Sequence, residues 1–168
     1  RIFVKDGKKL SDKEVVMDLG IKNKVALVAG GSMGLGRAVA LAMAREGAKI
    51  AICALDDPSL PAAEKLLRNE TGAEVLAVAA DVSDPLQATQ FVRKALAHFG
   101  TVDILVNNAG GPPSMNFLEI DDTMWANGFR LNLLSTIVMT REVVPVMKEK
   151  RWGRIINMTS ISVKQPID

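Results

Sequence analysis

Apolar residues are laid out along this chain in two alternating patterns. Short, mostly apolar runs, Val25–Ala29, Ile50–Ala54, Val75–Ala80, Val102–Val106 and Ile155–Met158, are separated by stretches in which apolar positions recur at helical spacing. The first such stretch runs from Leu35 to Glu46 and closes at Gly47, and the second opens at Pro58 and Pro61 and continues through Arg68. Ser83-Asp84-Pro85 is a helix start with proline in the first turn, and Val92, Ala95, Leu96 and Phe99 form its stripe. One long, largely apolar helix is predicted over Asp121 to Lys150. Continuous apolar strands alternating with helices specify a parallel sheet buried on both faces. The expected fold is α/β, a doubly wound parallel sheet with visible strand order 3-2-1-4-5.

Residues 1–23 lack this pattern and carry Lys5, Asp6, Lys8, Lys9, Asp12, Lys13 and Glu14. They read as an extension ahead of a domain over 24–168, with Met17 placed as a native start. The chain stops just after the fifth strand, so the domain is expected to be incomplete at its C-terminus.

Composition narrows the function classes. The 168 residues fit one domain, and 48% apolar with 24% charged residues is the balance of a globular protein. The net charge of +2 comes from 21 basic and 19 acidic side chains spread along the chain, with no basic stripe of the kind that holds nucleic acid. Cys53 is the single cysteine, which excludes an internal disulfide and suits a reducing compartment. No apolar run is long enough to span a membrane, and the opening Arg-Ile-Phe-Val-Lys-Asp does not resemble a signal peptide. The expectation is a cytoplasmic protein without membrane or nucleic-acid partners. No His/Cys/Asp/Glu cluster has metal-ligand spacing, and there is no tyrosine.

Chemistry-bearing motifs sit at the ends of the predicted strands. The turn after the first strand reads Ala29-Gly30-Gly31-Ser32-Met33-Gly34-Leu35-Gly36. Gly30 permits a sharp turn, Gly34 lets backbone approach a pyrophosphate, and Gly36 lets helix pack on strand, a Rossmann-type arrangement. Ser32, Met33 and Leu35 flank the same turn, and the helix start offers N–H groups and a positive dipole end to phosphate. No Gly-Lys-Ser/Thr follows, which excludes a P-loop. Asp81-Val82 follows the third strand and Asn107-Asn108-Ala109-Gly110 the fourth. Open α/β sheets bind ligands at such carboxyl ends. Taken singly, Asp81 could be a helix cap and Asn107-Asn108 a turn.

The order Gly-x-x-x-Gly-x-Gly, Asp-Val, Asn-Asn-Ala-Gly resembles the short-chain dehydrogenase/reductase family, from about Lys22 to the end. The glycine spacing sets it apart from that family's epimerase-like extended branch, and the chain is similar to 3-oxoacyl-acyl-carrier-protein reductases. The resemblance implies an NAD(P)-dependent oxidoreductase that exchanges a hydride with a small carbonyl or alcohol, and a homo-oligomer formed through the 121–150 helix. Ala29 departs from the family's usual threonine. Met33 and Leu55 lack the cation that NADP-preferring members carry, and Asp56 and Asp57 would repel a 2′-phosphate, so NAD is expected over NADP.

Among catalytic groups, Asn132 matches the family asparagine that holds a water in the proton relay. As an ordinary helix residue it would be a buried polar group needing a partner. Ser160 matches the serine that hydrogen-bonds the substrate oxygen, with Thr159 and Ser162 as neighbours of the same type. The remaining family members are a tyrosine and, about one helical turn later, a lysine that lowers its pKa. No residue here can stand for that tyrosine, so these 168 residues alone are expected to be inactive. Lys164 reads as a loop residue, and Ser160–Pro166 departs from the glycine-containing loop more usual in acyl-carrier-protein-reductase-like members. His98 reads as a solvated helix-end residue, Cys53 as core and Trp152 as packing beside the fifth strand. The rival function is a catalytically degenerate NAD(P)-binding protein with a regulatory or scaffold role. A methyltransferase-like nucleotide user is disfavoured by Asn107-Asn108-Ala109-Gly110.

Overall fold

Five parallel strands, β1 (Val25–Ala29), β2 (Lys49–Ala54), β3 (Val75–Ala79), β4 (Ile104–Asn107) and β5 (Arg154–Asn157), form one sheet in the order β3-β2-β1-β4-β5. They are joined by α1 (Gly34–Arg45), α2 (Ser59–Thr71), α3 (Pro85–Phe99), α4 (Asp122–Phe129) and α5 (Ser135–Glu149). The computed structural model of the chain describes residues 18–56, 58–110, 116–160 and 164. Met17 and the rest of 1–17, Asp57 and Ser162 lie outside the described residues.

The apolar runs have a direct cause. Side chains alternate across a strand, and here both faces are covered. Leu27, Ala51 and Leu105 pack with Phe91 and Val92 of α3 and Met139 and Val143 of α5. Ala26, Val28, Ile50, Ile52 and Val106 pack on the other face with Ala40 and Met43 of α1 and Leu60 and Leu67 of α2. Each fully buried side chain of this size is worth about 1.5–3 kcal/mol. Ile21 is also buried in the second core, and the Asn23 N–H donates to the Gly47 carbonyl at 2.9 Å, so residues just ahead of Lys24 take part in the fold.

Caps end the helices where the chemistry demands. Asp84 accepts from the Leu86 N–H at the start of α3 with proline in its first turn, and Gly72 and Gly100 close α2 and α3 in the left-handed conformation. At the amino ends of the strands, buried Asp103 ties β1 to α5. Its Oδ2 accepts from the Val25 N–H at 2.9 Å, and its Oδ1 accepts from the Lys150 ammonium.

One helix differs from expectation. The predicted helix over Asp121 to Lys150 is α4 and α5 joined by a π-helical turn at Arg130–Leu134. A π turn fits one extra residue into the helix, and no glycine or proline marks it in Arg-Leu-Asn-Leu-Leu, so periodicity alone could not place it. Asn132 lies in this turn and is exposed rather than buried. Strand β5 is exposed at all its positions and forms one sheet edge. Among the described residues, no helix is long and apolar enough to cross a membrane.

Candidate functional site

All the strands are parallel, so their carboxyl ends lie along one rim of the sheet, and β1 sits where the chain order reverses. The loop after β1 is built around missing side chains. A Cβ on Gly36 would stand 2.1 Å from the Gly30 carbonyl oxygen and 2.6 Å from Asn108 Nδ2. One on Gly30, where φ is +63°, would stand 2.4 Å from the Asn108 carbonyl oxygen. The start of α1 therefore packs on the end of β1 at a distance only glycine allows. Asn108 braces the loop from the end of β4, its Nδ2 donating to the carbonyls of Ala29 and Gly30 at 3.4 Å each. From the other side the Gly31 N–H donates to the Cys53 carbonyl at 3.0 Å.

Gly34 differs from its neighbours. Its φ is +54°, yet a Cβ there would meet nothing within 4 Å among the described residues. It opens α1, Met33 supplies no side-chain cap, and the first turn holds no acid. An uncapped helix start with a clear approach and no negative charge suits the pyrophosphate of a dinucleotide. Ser32 is buried in the loop, and Met33 and Leu35 are exposed on its rim.

The other strand ends carry the remaining candidates. After β3, the Asp81 N–H donates to Gln87 Oε1 at 3.0 Å, while Asp81 Oδ1 accepts from the Ser83 N–H at 2.9 Å; Val82 is buried beside it. A hydrogen bond from the Gln87 side chain holds the Asp84 carboxyl below its ordinary range. At the end of β2, Leu55 and Asp56 are exposed. Asn107, the last residue of β4, is buried; beyond it Ala109 packs against the core, and a Cβ on Gly110 would meet nothing within 4 Å among the described residues. Asn107 Nδ2 donates to Asn157 Oδ1 at 2.8 Å, and Asn107 Oδ1 is buried without a partner among the described residues.

Asn132 and Ser160, the two residues expected to be catalytic, are both exposed. Asn132 donates from Nδ2 to the Gly128 carbonyl at 2.9 Å, and its own carbonyl accepts from the Thr136 hydroxyl at 3.4 Å. Ser160 is exposed in the segment that leaves β5, and Lys164 is exposed further along. Gly30, Gly36 and Asn108 are thus in contact, whereas Asp81 stands at the far side of β2 and Ser160 follows the outer strand.

Residues outside the rim fall to structure. The His98 Nε2 lies 3.2 Å from Glu74 Oε1, Trp152 is stacked under Lys24 and Arg154, and burial pushes the Cys53 thiol up to about 12. Among the described residues there is no cluster that could hold a metal ion.

Sequence reading missed Asn157 and Gln87. Asn157 was hidden inside a strand that reads as core, although its register opposite Asn107 is visible once β4 and β5 are aligned. Gln87 reaches backward from the first turn of a helix, a contact that no periodicity reports.

The family profile described as short chain dehydrogenase matches residues 24–168. The chain belongs to that family. Among curated short chain dehydrogenase relatives, it is 38% identical over 143 residues to nodulation protein G of Azospirillum brasilense, covering 84% of this chain and 58% of the relative. It is 35% identical over 143 residues to 3-oxoacyl-acyl-carrier-protein reductase of Escherichia coli, covering 85% of this chain and 57% of that one. In structure, it is similar to an L-sorbose reductase of Gluconobacter frateurii, solved with NADPH and L-sorbose. The TM-score is 0.86 at 37% identity, over 90% of this chain and 57% of the other. The short chain dehydrogenase sequence in hand spans a little over half the length of these proteins.

Proposed function

We propose that the protein is an NAD(P)-dependent oxidoreductase that moves a hydride between the nicotinamide ring and a small carbonyl or alcohol substrate. The observation that carries this reading is the loop after β1, where Gly30, Gly36 and Asn108 interlock and Gly34 leaves an open, uncapped helix start. When bound, the dinucleotide supplies the hydride donor or acceptor. Gly30, Ser32, Met33, Gly34, Leu35 and Gly36 would hold its pyrophosphate. Dinucleotides lie across the point of strand-order reversal, with the ribose-reading group near the end of the second strand. Asp81 and Val82 therefore face the adenosine half, and Asn107, Asn108, Ala109 and Gly110 the nicotinamide half.

Ser160 would hydrogen-bond the substrate oxygen, and Asn132 would hold a water in the proton relay. The tyrosine and lysine that complete this chemistry in the family have no counterpart here, the sequence containing no tyrosine. Support for a reductase comes from what the relatives are called, a 3-oxoacyl-acyl-carrier-protein reductase and an L-sorbose reductase.

The choice of NAD over NADP rests on Met33 and Leu55, which bring no cation, and on exposed Asp56. The L-sorbose reductase structure, by contrast, contains NADPH. Titrating the full chain with NADH and NADPH side by side decides it: NADH is expected to bind at least as tightly, and a clear preference for NADPH overturns that part. Activity is tested with carbonyl substrates and the preferred cofactor. Cofactor binding without turnover of any such substrate, in a longer protein that does carry the family's tyrosine and lysine, would favour the non-catalytic alternative. In a longer protein that also carries the family's tyrosine and lysine, Ser160→Ala is expected to lower kcat by about 10²–10³ while leaving cofactor affinity nearly unchanged.

A further inference from the structure

We propose that Gln87, in the first turn of α3, is a positioning residue that fixes Asp81 where the adenosine half of the dinucleotide is read. The proposal rests on the nucleotide-binding reading above. Gln87 uses both ends of its amide. Its Oε1 accepts from the Asp81 N–H at 3.0 Å, and its Nε2 donates to Asp84 Oδ2 at 3.2 Å. A backbone N–H can only donate and a carboxylate can only accept, so the two partners dictate which way the amide points. The second bond is charge-assisted, since the Asp84 carboxyl is held below its ordinary range.

The rest of the turn closes around the same frame. Asp84 Oδ1 caps α3 through the Leu86 N–H at 2.8 Å, and the Asp84 N–H donates to the Asp81 carbonyl at 3.1 Å. Asp81 Oδ1 is held by the Ser83 N–H, and the Ala80 N–H donates to the Ala54 carbonyl at 2.8 Å, joining the ends of β3 and β2. Asp81 Oδ2 takes no part in this frame. The cap on α3 is already complete through Asp84 and Pro85, so the bond from Gln87 to Asp81 adds nothing to the helix. It ties the strand end to the helix and fixes the backbone from which the Asp81 carboxylate projects.

The test uses the full chain, titrated with ADP and with NADH. Gln87→Met removes both hydrogen bonds at nearly constant size, and Gln87→Glu sets a second carboxylate against Asp84. Each variant is expected to weaken ADP and NADH equally, by about tenfold, the loss of roughly one ordering hydrogen bond. The double variant Asp84→Asn/Gln87→Glu reverses donor and acceptor along the second bond and is expected to restore affinity. A purely structural Gln87 would lower the melting temperature and leave ADP affinity unchanged in the folded variants. That outcome overturns the proposal, as does a double variant no better than Gln87→Glu. Asp81→Ala is the control: if it weakens ADP and the Gln87 variants do not, Gln87 is idle; if it does not weaken ADP, the nucleotide reading at β3 itself falls.

Discussion

The side chains of Asn107 and Asn157 join the carboxyl ends of β4 and β5, Nδ2 of the first donating to Oδ1 of the second at 2.8 Å. The two residues are register partners, and the Met158 N–H donates to the Asn107 carbonyl at 2.9 Å. Asn107 is only 4% exposed, so its amide has little access to water as a substitute partner. The strand that leads to Ser160 is thereby held to the strand that leads to Asn108, the residue bracing the glycine loop.

Removing both members should cost less than the sum of removing each. Asn157→Ala leaves the buried Asn107 amide without its acceptor and is expected to lower stability by about 1–3 kcal/mol. The double variant Asn107→Leu/Asn157→Leu leaves no orphaned amide and is expected to cost less than the two single replacements summed. Chemical denaturation of Asn107→Leu, Asn157→Leu and the double variant checks this, and strict additivity would show that the pair does not act as a unit.

The two ends of the glycine loop should respond differently to a methyl group. In Gly36→Ala the new Cβ falls on the Gly30 carbonyl and Asn108 Nδ2, so helix and strand must part, at about 1–3 kcal/mol of stability and with loss of cofactor binding. In Gly34→Ala the space is open, and the cost is the left-handed backbone alone, about 1–2 kcal/mol. Gly34→Val fills the pyrophosphate's approach and is expected to abolish NADH binding in a chain that still folds. Melting curves and NADH titration separate these cases, and unchanged affinity in Gly34→Val would remove the site.

The fold was legible because burial on both faces writes the central strands β1, β2 and β4 as runs of apolar residues. Leu27 and Val28 point to opposite cores, yet both are apolar. The glycine loop was legible because each spacing has a steric cause. What stayed hidden depends on contacts between segments. The π turn at Arg130–Leu134 has no local signal, and Gln87 acts backward across a turn. Strand boundaries shifted for a similar reason: Val102 is fully buried but precedes β4, because burial does not require ladder pairing.

Cys53 offers a check on the core beneath the loop. Burial raises its thiol from 9.0 to about 12, so the folded state keeps the proton that the unfolded chain loses. The contribution to stability is complete below 9.0 and is lost as pH rises toward about 12. Wild type and Cys53→Ala are therefore expected to diverge in the alkaline slope of their denaturation midpoints, wild type falling more steeply. Native protein should also resist alkylation by iodoacetamide until it unfolds. Rapid alkylation of folded protein would show that the end of β2 opens readily.

The apolar surface of α4 and α5 leads to the last prediction, which concerns assembly. Val138, Met139, Val143 and Met147 are buried against the sheet and α3, which accounts for one face of α5. Met124, Trp125, Phe129, Leu133 and Ile137 remain exposed, with Phe117, Trp125 and Phe129 in ring contact at 6.2 and 6.3 Å. The π turn lies between Phe129 and Ile137, and the extra residue it accommodates shifts the helical phase along this exposed face. A surface helix ordinarily keeps its outer face polar, and contiguous apolar patches mark interaction sites. We propose that a second copy of the chain covers this face, each large side chain contributing on the order of 1.5–3 kcal/mol when buried. The full chain is then expected to sediment as a homo-oligomer, and Phe129→Glu or Ile137→Glu to shift it toward monomer. Both positions lie away from the glycine loop, so NADH affinity per subunit should persist in these variants. A wild-type full chain that sediments as a monomer at micromolar concentration would rule out the assembly.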